Sequence, residues 1–378
     1  MEYSDLVYAC ALNRIFNYDC RLGKRVMERY PHPGTLFSWK ADELCGLFGR
    51  NSKYPGLFTD RKFLDEAADE VEWASSKGVR ILCFNEADYP YRLRECEDAP
   101  LILFKAGNAE LNASRVISVV GTRKVTSYGL GVCRSIIQEL ASLEEPPLVV
   151  SGLAYGVDIC AHREALSLGL STVGVMATGI NDIYPHAHRA DAAAMCRQGG
   201  IVTDFWRNAP PDRINFLRRN RIIAGLCDAV VLVESDKSGG GIVTSKMAFS
   251  YSREVFAVPG RINDRYSAGC NLLISEKIAE SLSSPDRIGT LMGWKKRCGA
   301  LSSEGAAELF SGDSDVKKNI IVLLSNGSGM DADSLCERLH FDCQEIMTAL
   351  TALEMEGRII LDGRGVYGLK KYMVGSND

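Results

Sequence analysis

Eight short apolar runs rich in Val, Ile and Leu are spread between residues 79 and 290: "VRILCF", "LILFK", "RVISVV", "LVVS", "STVGVMA", "GIVTDF", "DAVVLVE" and "EVFAVP". Amphipathic segments of helical length alternate with them. A strand that is apolar at nearly every position is covered on both faces, and strands joined through helices come back to the same edge of the sheet pointing the same way. The alternation predicts a doubly wound α/β domain built on a parallel sheet.

In such a sheet ligands bind beyond the carboxyl ends of the strands, so the residues that follow each run carry the functional information. "RVISVV" runs into "GTRKVTSYG" (121–129), "LVVS" into "GLAYGVD" (152–158) and "STVGVMA" into "TGINDIYP" (178–185). "DAVVLVES" runs into "DKSGGGIVTS" (236–245), and "EVFAV" into "PGRI" (259–262). One glycine turn is what any tight strand-to-helix connection requires. Five on one edge point to a crevice where bare backbone N–H groups and helix N-termini receive an anion. The triple glycine 239–241 is costly to order, and a phosphate held at a helix start gives it a purpose.

The second concentrated feature is "DRINFLRRNRIIAG" (212–225), in which Arg213, Arg218, Arg219 and Arg221 surround Phe216. Guanidinium groups suit phosphate, and an aromatic ring among them offers a stacking face for a base. The chain as a whole carries a net charge of −4, so a polyanion site has to be local. Catalytic constellations are weaker. Asp158 and His162 stand at i,i+4, His186 and His188 form an H-x-H, and neither pair has a third ligand at metal-site spacing, so structural histidines and no bound metal are expected. Asp158 suits either a helix cap or a ribose contact. No Walker A sequence is present, and "GTRKVTSYG" matches the dinucleotide fingerprint poorly, so no cofactor is expected.

Outside the central region, residues 1–74 read as a small all-α domain and 291–313 as a Ser/Gly/Asp-rich linker. Residues 314–374 read helix, turn, helix, turn, helix, then two strands about the hairpin turn "DGRG" (362–365), the order of a winged helix. Its third helix holds Glu345, Glu354 and Glu356 and no Lys or Arg between Gln344 and Gly357, which predicts a protein-binding or assembly role over reading of a DNA groove. Thirteen cysteines without a C-x-x-C pair indicate reduced, mostly structural thiols. With no apolar stretch of membrane-spanning length and no signal-like start, a cytoplasmic location is expected.

The blocks "VVGTRKVTSYG", "VVSGLAYGVDICAHREAL", "GINDIYPHAHR", "NFLRRNRIIAGLCDAVVLVE", "GGGIVTSKMAFSYSREVFAVPGRI" and "SAGCNLLI" follow one another as they do in the bacterial DprA (Smf) family of DNA-processing proteins, which this chain resembles over roughly residues 80–280. The resemblance implies an extended Rossmann domain (75–290), flanked by a helical N-terminal domain of the sterile-alpha-motif or helix-hairpin-helix kind and a C-terminal winged helix. It also implies a non-enzymatic protein that binds single-stranded DNA, protects it after uptake and helps load RecA recombinase during natural transformation, as a homodimer through the Rossmann domain. By position, Gly121, Thr122 and Arg123 match the family's Gly-Ser-Arg turn, with Thr in place of the usual Ser. Phe216, Arg218, Arg219, Asn220 and Arg221 match its aromatic and basic block, and Ser151, Gly152, Gly239 and Gly240 its small-residue turns. His188 departs from the Asn common in the family. The alternative is a nucleotide-processing enzyme of the phosphoribohydrolase kind. "VPGRINDRYSAG" keeps one Pro-Gly of that group's signature but lacks its Gly-Thr-x-x-Glu.

Overall fold

The computed structural model describes residues 3–17, 19–297, 315–324, 329–339, 341–362 and 365–369. It divides into two compact units, 1–297 and 298–378. In the first, α1 (Tyr3–Phe16), α2 (Cys20–Arg29), α3 (Ala41–Phe48), α4 (Tyr54–Thr59) and α5 (Lys62–Ser76) precede β1 (Arg80–Cys83), α6 (Tyr91–Glu95), β2 (Ile102–Gly107) and β3 (Val116–Val120). Then come α7 (Ser127–Ala141), β4 (Leu148–Ser151), α8 (Val157–Ser167), β5 (Thr172–Val175), α9 (Arg189–Gln198) and β6 (Gly200–Thr203). The unit closes with α10 (Arg213–Leu226), β7 (Ala229–Leu232), α11 (Gly240–Ser250), β8 (Glu254–Ala257), α12 (Ala268–Ser275), β9 (Glu280–Ser281) and α13 (Arg287–Met292).

Each of the eight apolar runs forms a strand, and β9 adds a short ninth to the sheet, whose order is β1-β2-β6-β5-β4-β3-β7-β8-β9. From β3 to β9 the pairings are parallel, but β1 pairs antiparallel with β2 (Leu82 opposite Leu103) and β2 antiparallel with β6 (Lys105 opposite Val202). The sheet is parallel over most of its width, as expected, and antiparallel only at this edge; a continuous apolar run reports burial on both faces and says nothing about direction. Ile102 and Phe104 pack with Ala9, Ala67 and Val71 on one face, while Leu101 and Leu103 pack with Leu12, Ile15 and Phe16 on the other. Helices α1 to α5 share these cores with the sheet and belong to the same compact unit, so they cover this edge instead of standing apart.

From β3 the chain moves one way through β4, β5 and β6, then returns to place β7 on the other side of β3. The order reverses between β3 and β7, which fixes the ligand crevice of an open sheet at their carboxyl ends. The amino ends of the same two strands are clamped by Arg92, buried at 1 % exposure. Its Nε and Nη2 donate to the carboxylate of Asp228 at 2.6 and 2.9 Å, its Nη1 donates to the Ala113 carbonyl at 2.9 Å, and Asp228 also accepts from the backbone N–H of Val116 at 2.8 Å. Residues 291–297, expected to begin a linker, stay with this unit: Lys296 bridges to Leu143, and the Arg297 N–H donates to the Ser142 carbonyl. The remaining linker residues, 298–313, lie outside the described residues.

The second unit holds α14 (Asp315–Leu324), α15 (Ala332–Leu339), α16 (Cys343–Met355) and the antiparallel pair β10 (Ile359–Leu361) and β11 (Tyr367–Leu369). Ile320, Leu324, Leu335, Ile346, Leu350, Leu353 and Ile359 form its core. This is the winged-helix order. Residues 363 and 364 of its "DGRG" turn lie outside the described residues.

Two outcomes test this scaffold. Arg92→Ala strands Asp228 and the carbonyls of Ala113 and Ser114 at the base of the central strands and should lower unfolding stability by about 3 kcal/mol, while Arg92→Lys, without the planar fork, should recover little of it; chemical denaturation of the three proteins decides. His162 is buried with Nδ1 2.7 Å from the Thr172 hydroxyl, and burial pulls its pKa down to about 3. A histidine that stays neutral when folded but takes up a proton when unfolded subtracts stability as pH falls below the ordinary value of about 6.5. Denaturation midpoints measured between pH 7 and pH 5 should therefore fall more steeply for the unaltered chain than for His162→Gln.

Candidate nucleic-acid interface

Three strand-end loops meet at the switch point, and their backbones lie too close for side chains. A Cβ on Gly121 would strike Val157 and the Glu234 carbonyl, and one on Gly241 would strike Leu232 and approach Gly121. Gly156, at φ +81°, sits against the Thr122 carbonyl, so only glycine meets both the conformation and the space. Glu234, buried at the end of β7, ties the first loop down. Its carbonyl accepts the Thr122 N–H at 2.7 Å, and its carboxylate accepts the Thr126 N–H at 2.9 Å and the Thr126 hydroxyl at 2.5 Å. The Thr122 carbonyl in turn accepts the Val157 N–H at 3.3 Å. The 121–126 loop is thus held rigid before any ligand arrives.

The triple glycine begins α11. Gly239 is its N-cap and makes no side-chain capping bond; the Gly239 N–H donates to the Asp236 carbonyl at 2.9 Å and the Ile242 N–H to the Gly239 carbonyl at 3.1 Å, so it is the N–H groups of Gly240 and Gly241, both lining the crevice, that are left for a ligand. The positive end of that helix favours an anion. Opposite it lies the amino end of α10, capped by the Asp212 carboxylate, which accepts the Ile214 N–H at 3.1 Å. Between them is a cavity of about 490 Å³ whose walls include Gly121, Thr122, Arg123, Phe216, Gly239 and Gly240. Arg123 is exposed, and its guanidinium stands over the Phe216 ring at 4.9 Å; Tyr184 meets the same ring edge-on at 5.7 Å. Arg213 is also exposed at the rim. Arg123 and Arg213 have no ion pair among the described residues.

The rest of the basic helix behaves differently from a free cationic face. Phe216, Arg219, Asn220 and Ile223 line the cavity, the i, i+3, i+4, i+7 stripe of one helix face. Arg219 is 4 % exposed and forms part of the floor, where its Nη1 donates to the carbonyls of Gly152 and Val175. Burial pulls its pKa down to about 10, opposed by the neighbouring Asp158, whose own carboxyl burial pushes up against the pull of Arg219. Arg221 points the other way: it is buried in an ion pair with Asp204 and donates to the Asp98 carbonyl, so it holds the fold and is not available to a ligand in this cavity. Arg218 is half-buried on that same side and contributes to holding the Asp204 carboxylate charged. Ser151 is buried and donates to the Val119 carbonyl at 2.6 Å, tying β4 to β3. Gly152 makes room for Arg219, since a Cβ there would strike the guanidinium and the Asp158 carboxylate.

Of the twelve residues singled out in the sequence, Gly121, Thr122, Arg123, Phe216, Arg219, Asn220, Gly239 and Gly240 come together around the cavity; Ser151 and Gly152 support it from beneath, and Arg218 and Arg221 lie away from it. Sequence reasoning missed Tyr184 and Glu234. Tyr184 reaches Phe216 from a loop 32 positions earlier, and no local pattern marks that contact. Glu234 was visible only as an acid ending an apolar strand, a residue type rarely buried without a partner. The acids near the cavity are matched: Asp158 by Arg219, and Asp236 by Arg265 at 2.6 Å. His188 is buried with Nδ1 2.8 Å from the Leu153 carbonyl, a structural position. Among the described residues no three His, Cys, Asp or Glu side chains group as a metal site, and no helix is long and apolar enough to cross a membrane.

A model of the DNA recombination-mediator protein A family matches residues 80–293, and one of the DprA winged helix domain matches residues 306–360. The DNA processing protein DprA of Streptococcus pneumoniae is 35% identical over 223 residues, covering 59% of this chain and 77% of its own. Protein Smf of Escherichia coli is 32% identical over 319 residues, covering 82% and 84%. In three dimensions the X-ray structure of the S. pneumoniae protein aligns with a TM-score of 0.64 at 26% identity, over 79% of this chain and 99% of that one. DNA processing protein A from Helicobacter pylori, solved to describe its single-stranded DNA binding mode, aligns with a TM-score of 0.51 at 26% identity, over 57% and 96%. With a family model matching more than half of the chain and a relative 32% identical over most of both chains, the chain belongs to the DNA recombination-mediator protein A family, that of the DprA and Smf DNA-processing proteins.

Proposed function

We propose that this chain binds single-stranded DNA in the β3/β7 crevice, without chemical conversion of the strand, and hands it to a RecA-type recombinase during transformation. The observation that carries the reading is the convergence, at one mouth, of an uncapped helix start, a rigid glycine loop and an Arg123–Phe216 pair. A phosphate is received by the N–H groups of Gly240 and Gly241 and by Arg123 and Arg213, while a neighbouring base stacks on the Phe216 and Tyr184 rings. Stacking needs an unpaired base, and every base offers a π-face, so the site prefers single strands and tolerates many sequences. A rigid duplex keeps its bases stacked inside and cannot make both contacts. The H. pylori relative's single-stranded DNA binding supports the same assignment here. Assembly as a homodimer through the sheet domain, a cytoplasmic location, and a protein partner for the acidic winged helix complete the proposal.

Fluorescence anisotropy with labelled single- and double-stranded oligonucleotides of equal length tests it. Single strands should bind more tightly, with a log–log salt slope of about −2 to −3.5 for three to five phosphates. Arg123→Ala/Phe216→Ala should cost about 2–4 kcal/mol of binding and make the slope shallower. A slope near zero, or equal binding of both forms, would overturn the assignment, and turnover of a nucleoside monophosphate would replace it with an enzyme. A second variant acts at a distance. Glu234→Ala removes the anchor of the 121–126 loop without touching DNA, and should weaken single-strand binding while lowering unfolding stability by about 1–3 kcal/mol.

A further inference from the structure

Arg123 stands on a divide. On one side is the β3/β7 cavity; on the other a second groove of about 590 Å³ runs between α7 and α8, with Arg123, Lys124, Arg134, Tyr155 and Arg163 among its walls. Arg123, Lys124 and Arg134 are exposed and have no carboxylate partner among the described residues. Arg163 is matched by Asp191 at 2.8 and 3.0 Å, and the groove's one acid, Glu164, accepts from Gln138 at 2.9 Å. The groove therefore carries a net positive charge on a chain whose total is −4. Tyr155 is 50% exposed, and its ring is braced edge-on against the buried His188 ring at 4.8 Å, so it presents a fixed aromatic face beside the cations.

Cations without acidic partners, next to a braced and exposed aromatic ring, are the pairing that tracks a single-stranded backbone. We infer that the α7/α8 groove is a second subsite for the same strand: DNA leaving the cavity passes Arg123, lays its next phosphates on Lys124 and Arg134, and stacks a base on Tyr155. This inference rests on the proposed single-strand binding and extends its footprint past the switch point. Arg123, shared by both grooves, then serves as the turning post of the path.

Oligothymidylates of about 6 and about 15 nucleotides, compared by anisotropy across a salt series, separate the two subsites. For the unaltered chain the longer strand should bind about tenfold or more tightly than the shorter. Lys124→Ala/Arg134→Ala should leave the short strand's affinity unchanged, weaken the long strand about tenfold, and reduce the long strand's salt slope by about 1.4, the share of two phosphates. Tyr155→Ala should likewise act on the long strand alone, and Tyr155→Phe should preserve binding; melting curves matching the unaltered chain verify folding. Variants with an unaltered length profile and slope would overturn the second subsite, as would a native chain that gains nothing from length. Failure of the native chain to bind either strand would overturn the primary function, whereas Arg123→Ala weakening both lengths with Lys124→Ala/Arg134→Ala silent would leave that function standing and remove only the groove.

Discussion

The Glu234 carboxylate is the interaction on which the site's geometry depends. It sits at the one place in the sheet where the connections diverge, and from there it holds the loop of the neighbouring strand by two hydrogen bonds, with its own carbonyl adding a third. A buried carboxylate that accepts from a backbone N–H and a hydroxyl is well satisfied, and the strength of such charge-assisted bonds makes the loop stiff. At the other end of the same strands Arg92 and Asp228 perform the matching task. Two buried ionic groups, one at each end of β3 and β7, thus set the register and the crevice together.

The same economy of placement explains the arginines of α10. This helix is buried around its whole circumference from Arg219 to Leu226, because the sheet, α6 and α11 all pack against it. A guanidinium in such a place is tolerated only when its donors find acceptors. Arg219 finds the carbonyls at the ends of β4 and β5 through Nη1, while its buried Nε has no partner among the described residues, and Arg221 finds Asp204 and the Asp98 carbonyl. Of the arginines on α10, Arg213 at its amino end is the one exposed at the crevice mouth, where Arg123 joins it from the β3 loop. Interior arginines shape the floor, and the rim arginines keep their guanidinium groups exposed at its mouth.

Much of this was legible in the sequence. Continuous apolar runs reported buried strands, and glycine turns reported where loops crowd together, because both are direct consequences of what a sheet edge permits. Strand direction at β1 and β2 was not legible, since the apolar Ile102 to Phe104 would be buried in either orientation. Nor was the fate of Arg219 and Arg221. Their partners lie 17 to 123 positions away along the chain, beyond any local pattern, and a run of arginines reads the same whether it faces water, phosphate or carbonyl oxygen. Tyr184 was hidden for the same reason.

The bare glycine cap of α11 has a thermodynamic meaning of its own. Most helices carry their own terminator in a Ser, Thr, Asp or Asn side chain. Here the terminator is absent at Gly239, and the group that best supplies it is an anion from outside. On the proposed reading, a bound phosphate stands in for the missing cap at the start of the helix. On the same reading, occupancy of the crevice and order in the first turn of α11 are linked in one equilibrium, while the 121–126 loop is already fixed by Glu234.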